Sequence, residues 1–210
     1  MTEVIDLWQH ENAARQAGFA RVAGVDEVGR GPLAGPVLAA CVILPTGFDL
    51  TGINDSKKLS ERQRERAEAR IRAEAVAVGI GSVEPEVIDR INILQATHEA
   101  MRLAYAQIAP PPDFVLLDGL PVRGFPCAET QALVQGDSRS VSIAAASVVA
   151  KVARDRLMCA YDTVYPEYGF AGHKGYGSAR HLAALAEHGP CPIHRRSFAP
   201  VAACCRPPKG

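Results

Sequence analysis

Val22-Ala23-Gly24-Val25-Asp26-Glu27-Val28-Gly29-Arg30-Gly31 runs from an apolar, β-branched stretch into two adjacent carboxylates and then into a glycine turn. Val22 to Val25 and Val37 to Leu44 flank the glycine-rich segment Gly29 to Gly35, and together they read as two neighbouring strands. Adjacent bare carboxylates are costly to bury. A strand alternates its side chains, so Asp26 and Glu27 can share one site only where the strand stops.

Outward from this stretch, strand and helix patterns alternate. Ser60 with Gln63 forms a capping box that opens a charged surface helix from Glu61 to Glu74. Val76 to Val83 reads as a third strand. Val87, Ile91, Leu94, His98, Met101, Tyr105 and Ile108 step by threes and fours, which predicts one face of a long helix with His98 in the core, ended by Pro110 to Pro112. Phe114 to Leu117 is a continuous apolar run ending in Asp118-Gly119, the pattern of a buried central strand. Ala132 to Val134 predicts another short strand, stopped by Gly136-Asp137. Ser140 to Met158 is alanine-rich and helical, with Lys151, Arg154 and Arg156 towards its C-terminal half, where cations suit the helix dipole. Ser178 caps a last short helix that Gly189-Pro190 closes, and the tail from Cys204 shows no pattern. The alternation argues for an α/β fold in a single domain over residues 1–210.

Composition narrows the function. The chain has 210 residues, 48% of them apolar, with 23 basic and 23 acidic side chains and a net charge of zero. Binding of nucleic acid by bulk charge is excluded, whereas a local basic cleft balanced by acids elsewhere is not. Met1 to Gln9 carries Glu3 and Asp6 and lacks the basic start and apolar run of a signal peptide. Pro36 to Pro45 is the longest apolar stretch and is too short to span a membrane. The six cysteines follow no repeating framework and are expected as free thiols in a reducing cytoplasm.

Asp26, Glu27, Asp118 and Asp137 each fall at an element boundary. Alone, each reads more readily as a helix cap or a surface charge than as a site residue. Together, at the carboxyl ends of strands, they would repel one another unless a hard cation such as Mg²⁺ neutralised them.

Seven ordered motifs resemble the ribonuclease HII family. They are Asp26-Glu27-Val28-Gly29-Arg30-Gly31, Asp55-Ser56-Lys57-Lys58-Leu59-Ser60, Ile91-Asn92-Ile93-Leu94-Gln95-Ala96-Thr97 and Leu117-Asp118-Gly119. Gly136-Asp137-Ser138-Arg139-Ser140-Val141-Ser142-Ile143-Ala144-Ala145-Ala146-Ser147, continuing to Lys151 and Arg154-Asp155, is the most specific. His173-Lys174-Gly175-Tyr176-Gly177 and His194-Arg195-Arg196-Ser197-Phe198 complete the set, from about residue 20 to about residue 201.

The resemblance implies a ribonuclease H-like fold, a central mixed β-sheet flanked by helices. It implies an endoribonuclease that cuts the RNA strand of RNA–DNA hybrids and incises 5′ of single ribonucleotides in duplex DNA. Asp26, Glu27, Asp118 and Asp137 would be the catalytic metal-binding carboxylates, with Mg²⁺ or Mn²⁺ as one or two ions. Hydrolysis would leave 3′-hydroxyl and 5′-phosphate ends. Gly29, Arg30 and Gly31 would contact the ribonucleotide, Tyr176 would pack on the neighbouring deoxyribose, and Ser56, Lys57, His173 and Lys174 would contact phosphates. A cytoplasmic monomer with no membrane association and no obligatory protein partner is expected.

The rival readings are weaker. Gly136-Asp137-Ser138-Arg139-Ser140 ends on serine where a nucleophile elbow needs glycine. Cys191, His194, Cys204 and Cys205 have poor spacing for a tetrahedral zinc site. Gly29-x-Gly31 before Pro32 lacks the third glycine of a dinucleotide fingerprint. A junction resolvase-like nuclease would keep the fold and change the substrate; the Gly-Arg-Gly turn and the Lys174–Tyr176 segment argue against it by the resemblance alone. A non-catalytic hybrid-binding module would not need the acids.

Overall fold

A computed structural model of the chain describes residues 6–49, 51, 53 and 59–205. The strands are β1 (Val22–Val28), β2 (Val37–Ile43), β3 (Ala77–Val83), β4 (Phe114–Asp118) and β5 (Thr130–Leu133). The helices are α1 (Gln9–Gln16), α2 (Glu61–Glu74), α3 (Pro85–Ile91), α4 (Ile93–Ala106), α5 (Val141–Val164), α6 (Phe170–His173), α7 (Ala179–His188) and α8 (Ala199–Cys204). The strands make one mixed sheet in the order β3-β2-β1-β4-β5. β1, β2 and β3 pair antiparallel, while β1, β4 and β5 run parallel.

β2 explains why Val37 to Leu44 is apolar throughout. Val37, Ala39, Cys41 and Ile43 enter the core shared with α4, and Ala40, Val42 and Leu44 enter the core shared with α5. A sheet covered on both faces asks for apolar residues at both parities. α5 presses on β1 so closely that a Cβ on Gly24 would lie 2.1 Å from the carbonyl carbon of Ser142. That contact seats the middle of α5 beside the end of β1, where the acids are.

The run from Val87 to Ile108 is two helices rather than one. Asn92 takes a positive φ of 68° and its side chain accepts from the N–H groups of Leu94 (3.0 Å) and Gln95 (3.1 Å), starting α4 afresh. The buried face of α4 is Ala96, Thr97, Ala100, Met101 and Ala104, whereas Leu94 is exposed and His98 only half-buried. The reason is close packing. Cβ atoms on Gly79 and Gly81 of β3 would lie 2.2 and 2.1 Å from the Ala104 and Ala100 carbonyl oxygens, so this face needs small side chains.

The charges on α5 are not a C-terminal cluster, because the helix runs on to Val164. Lys151 pairs with Asp155 at 2.6 Å, and Arg156 bonds both carboxylate oxygens of Glu68 on α2 at 3.3 and 3.1 Å. Arg154 is fully buried. The capping box of Ser60 and Gln63 and the Ser178 cap of α7 form as expected. α1, α6 and α8 have no counterpart in the sequence reading. All six cysteines are free thiols. Among the described residues, no helix is long and apolar enough to cross a membrane.

Candidate active site

Parallel pairing of β1 with β4 ends with Val25 opposite Leu117, so the next residues, Asp26 and Asp118, stand side by side where the two strands part. Contrary to the expectation from sequence, the strand does not stop at the acids: β1 runs on to Val28 against β2, with Asp26 opposite Ala40 and Glu27 opposite Ala39, and Asp118 still pairs with Leu133 of β5. Glu27 follows on β1. One oxygen from each of Asp26, Glu27 and Asp118 lies within 4.8 Å of the others. β5, parallel to β4, ends one turn before Asp137, which lines the same cleft of about 500 Å³.

Each acid is held by its neighbours. Asp26 is buried; its Oδ1 accepts from the Glu27 N–H at 2.7 Å, and Ser147 of α5 bonds its side chain. Burial first, then the charges of Glu27 and Asp118, push the Asp26 carboxyl well above the usual carboxylate range. Burial also raises Glu27, opposed by Arg30, whose Nη1 lies 3.3 Å from its Oε1. Asp118 Oδ1 accepts from the Gly136 N–H at 2.6 Å, which ties the Asp137 turn to the end of β4. Three acids gathered in a partly desolvated place, two of them raised, are a cluster that a divalent cation would relieve. Carboxylate oxygens are the donors that hard cations take. The donor set therefore fits Mg²⁺ or Mn²⁺.

Gly29, Arg30, Gly31 and Tyr176 line another stretch of the cleft wall. Gly29 is buried with φ +92°, and a Cβ there would lie 2.3 Å from Arg154 Nε. Gly31 is exposed and outside the left-handed region, and a Cβ there would meet only Tyr176 Cε1, at an ordinary 3.5 Å. Of these two glycines, the protein's own packing obliges only Gly29 to be glycine. The Tyr176 side chain is 48% exposed over the cleft.

His173 and Lys174 are not brought to this wall. His173 Nε2 bonds the Tyr168 carbonyl at 2.9 Å and its Nδ1 accepts from the Gly175 N–H at 3.2 Å. The Lys174 ammonium donates to the Ala171 carbonyl (2.8 Å) and Cys159 Sγ (3.1 Å) and lies 3.8 Å from Glu61. Ser56 and Lys57 lie outside the described residues. The cations that do line the cleft, besides Arg30, are Arg64 of α2 and Lys151 of α5. A signal for Lys151 was present: it stands four residues after Ser147 on α5, hence on the same helix face.

Behind Tyr176 lies a chain of buried imidazoles. His194 Nδ1 faces both the N–H (3.0 Å) and the thiol (3.1 Å) of Cys191, so it is the acceptor and Nε2 carries the proton. That proton points at His181 Nε2, 3.0 Å away, which leaves His181 Nδ1–H to donate to the Tyr176 carbonyl at 2.9 Å. Both rings are neutral in this arrangement. Burial lowers both, and His194, with His181 beside it, falls to about 4. Cys191 and His194 are thus bonded to each other, while Cys204 and Cys205 are exposed. Among the described residues, the acids are the one group of His, Cys, Asp and Glu with metal-holding geometry.

Comparison with known proteins agrees with this geometry. Residues 23–201 match the family model described as Ribonuclease HII. A ribonuclease HII of Geobacter sulfurreducens is 55% identical over 192 residues, covering 91% of this chain and 88% of that protein. One from Listeria monocytogenes serotype 4b is 55% identical over 196 residues, covering 93% and 74%. Among solved structures, the ribonuclease H2 of Pyrococcus horikoshii OT3 superposes with a TM-score of 0.74 at 26% identity, covering 88% of this chain and 97% of that one. With the matched region spanning sheet, acids, glycine turn and tyrosine alike, the chain belongs to the ribonuclease HII family.

Proposed function

We propose that the chain incises duplex DNA on the 5′ side of a single embedded ribonucleotide and cuts the RNA strand of RNA–DNA hybrids, leaving 3′-hydroxyl and 5′-phosphate ends. As a family member it is a hydrolase, an endoribonuclease of the ribonuclease H type. The observation that carries the finer reading is the convergence in one cleft of three carboxylates within 4.8 Å and the Gly29-Arg30-Gly31 turn with Tyr176.

Asp26, Glu27 and Asp118 would hold Mg²⁺ or Mn²⁺, with Asp137 as the fourth acid. A cation held there supplies Lewis-acid charge at the phosphoryl oxygens and acidifies water at neutral pH, and a pair of such ions suits in-line displacement at phosphorus. The chain's own groups do the selecting. Glu27 steadies Arg30. Gly31 leaves room for a ribose to approach the turn, where a 2′-hydroxyl distinguishes RNA from DNA. The exposed Tyr176 ring offers a flat face for the neighbouring deoxyribose and leaves no room for a further 2′-hydroxyl. Lys151 and Arg64 offer phosphate contacts that fix register without reading sequence.

The test is cleavage of three duplexes, with one ribonucleotide, a full hybrid strand, or all DNA, each with and without Mg²⁺ or Mn²⁺. Metal-dependent incision 5′ of the ribonucleotide, with the all-DNA duplex untouched, is expected. Equal cutting of all-DNA duplex would end the ribonucleotide-sensing reading.

A further inference from the structure

Beneath the cleft, the turn that carries Gly29-Arg30-Gly31 and the segment that carries Tyr176 meet on two arginines, Arg154 of α5 and Arg195 of the loop before α8. Both are completely buried. Arg154 donates from Nε to the Pro36 carbonyl (3.1 Å), from Nη2 to Ala34 (3.0 Å) and from Nη1 to Lys174 (2.9 Å). Arg195 donates from Nε to the Gly35 carbonyl (2.9 Å), from Nη1 to Arg30 (2.9 Å) and from Nη2 to Gly29. The partners are main-chain dipoles rather than carboxylates. Burial, and for Arg195 then the adjacent Arg154, lowers the two to about 10 and about 9, so both stay charged at neutral pH.

Two neighbouring cations without a counter-charge between them are a costly way to fill space. What they supply that an apolar side chain cannot is a planar fork of donors in fixed geometry. The trans peptide makes that geometry consequential. With the Gly29 and Arg30 carbonyls turned inward on Arg195, the N–H groups of Arg30 and Gly31 point the opposite way, away from the buried cation. Arg154, pressed against Gly29, reaches both the turn and Lys174, two residues before Tyr176. Main-chain bonds Leu33 N–H to Gly175 O (2.8 Å), Gly35 N–H to Ile193 O (2.8 Å) and Arg195 N–H to Leu33 O (2.9 Å) close the same unit. Asp89 of α3 anchors it by accepting from the N–H groups of Arg196 (2.8 Å) and Ser197 (2.9 Å).

We infer that Arg154 and Arg195 are positioning residues for ribonucleotide selection: they fix the peptide planes of Gly29-Arg30-Gly31 and lock them to the Tyr176 segment, so that one rigid unit reads both sides of an RNA–DNA junction. The inference rests on the roles proposed above for the turn and Tyr176. It also explains why Gly29 must be glycine, since Arg154 occupies the place of its Cβ.

The experiment compares wild type with Arg154→Lys and Arg195→Lys, which keep the charge and the stem but replace the fork by a compact ammonium. Steady-state constants are measured on the single-ribonucleotide duplex and on the continuous hybrid, with Mn²⁺ affinity by calorimetry. The expected result is a fall of about ten- to a hundredfold in the ratio of kcat/KM on the first substrate to that on the second, the scale of small misplacements of aligned groups. Mn²⁺ affinity should stay within about twofold, because neither arginine bonds an acid of the cluster. An equal loss on both substrates, or an unchanged ratio in folded protein, overturns the inference. Wild type that itself cuts all-DNA duplex overturns instead the reading of the turn, which separates the two failures. Amide exchange in wild type decides the matter even if a variant does not fold. The amides of Leu33, Gly35 and Tyr176 should exchange as one cooperative unit, and independent exchange of Tyr176 would show that the arginines do not lock the two segments.

Discussion

One wall of the cleft hangs on strands and the other on loops. Asp26 and Glu27 stand on β1 and Asp118 ends β4, and the parallel register of the two strands sets Asp26 beside Asp118. Gly29-Arg30-Gly31 and Tyr176 sit on irregular chain, held from behind by side chains that donate to its carbonyls: Arg154, Arg195 and His181. The first wall is organised by the sheet and concentrates negative charge. The second is organised by buried donors and presents backbone and a ring. The division suits the proposed roles, since gathering cations would need fixed acids, whereas sensing a sugar would need close approach of main chain.

If that division is right, damage to the acidic wall should stop chemistry without disturbing the fold. Asp118→Asn keeps volume and the acceptor for the Gly136 N–H but removes the charge. Cleavage should fall by about a thousandfold or more, ~4 kcal/mol on the barrier, with circular dichroism unchanged. Near-normal turnover at saturating Mg²⁺ would remove Asp118 from the site.

The glycines of the other wall split by cause. Gly29→Ala pushes a Cβ into Arg154 at a positive φ and should cost about 2–3 kcal/mol of stability, read by thermal denaturation. Gly31→Ala meets only ordinary contact and should leave stability within about 0.5 kcal/mol, yet slow cleavage at a ribonucleotide. If Gly31→Ala loses as much stability as is expected of Gly29→Ala, Gly31 is a structural glycine, and slower cleavage by that variant no longer speaks for room kept for the ribose.

The same contrast decides what the sequence could tell. Strand-borne acids are legible because each ends an apolar run, and β2 and β4 announce themselves by burial on both faces. The supports of the loop wall are invisible to local pattern. Arg195 bonds carbonyls some 160 residues earlier, and nothing around it says that it is buried. Glu11 is similar: its carboxylate accepts from the Ser140 hydroxyl (2.6 Å) and the Ser142 N–H (2.9 Å) across 129 residues or more, so α1 braces the start of α5. The break at Asn92 failed to show for another reason. Apolar stepping continues across it, while the glycines of β3 choose a different, alanine-lined face of α4. His173 and Lys174 share a motif with Tyr176, but their polar atoms face inward, a direction that spacing does not encode.

Acid should loosen the loop wall through its imidazoles. His194 lies at about 4 and His181 below its ordinary value, both chiefly from burial, with His173 adding repulsion to each and Arg196 to His194. Unfolded imidazoles titrate near 6.5, so between about 6.5 and about 4 the unfolded chain binds more protons than the native one. Stability from this pair is therefore complete above that window and is lost as pH falls through it, by about 2–3 kcal/mol for His194. Denaturant midpoints of wild type and His194→Gln, compared across the window, should show a shallower pH dependence in the variant. Parallel curves would mean that His194 is not held neutral by burial in the native protein.

The smallest effect runs the other way and bears on the acidic wall. Asp26 is buried, and its carboxyl is raised by burial and by the charges of Glu27 and Asp118, so without a cation the cluster works against the fold. Asp26→Asn keeps an oxygen for the Glu27 N–H and a group for Ser147 while ending the repulsion. Cleavage should vanish, yet the cation-free protein should gain about 1 kcal/mol, the usual exchange of stability for function at a charged site. Adding Mg²⁺ should then stabilise wild type more than the variant, because only a protein that binds the ion in its native state gains from it. The measurement is a pair of thermal melts, with chelator and with excess Mg²⁺. If the variant is less stable than wild type in chelator, Asp26 is satisfied by its hydrogen bonds, and the acidic wall carries no stored repulsion for a cation to relieve.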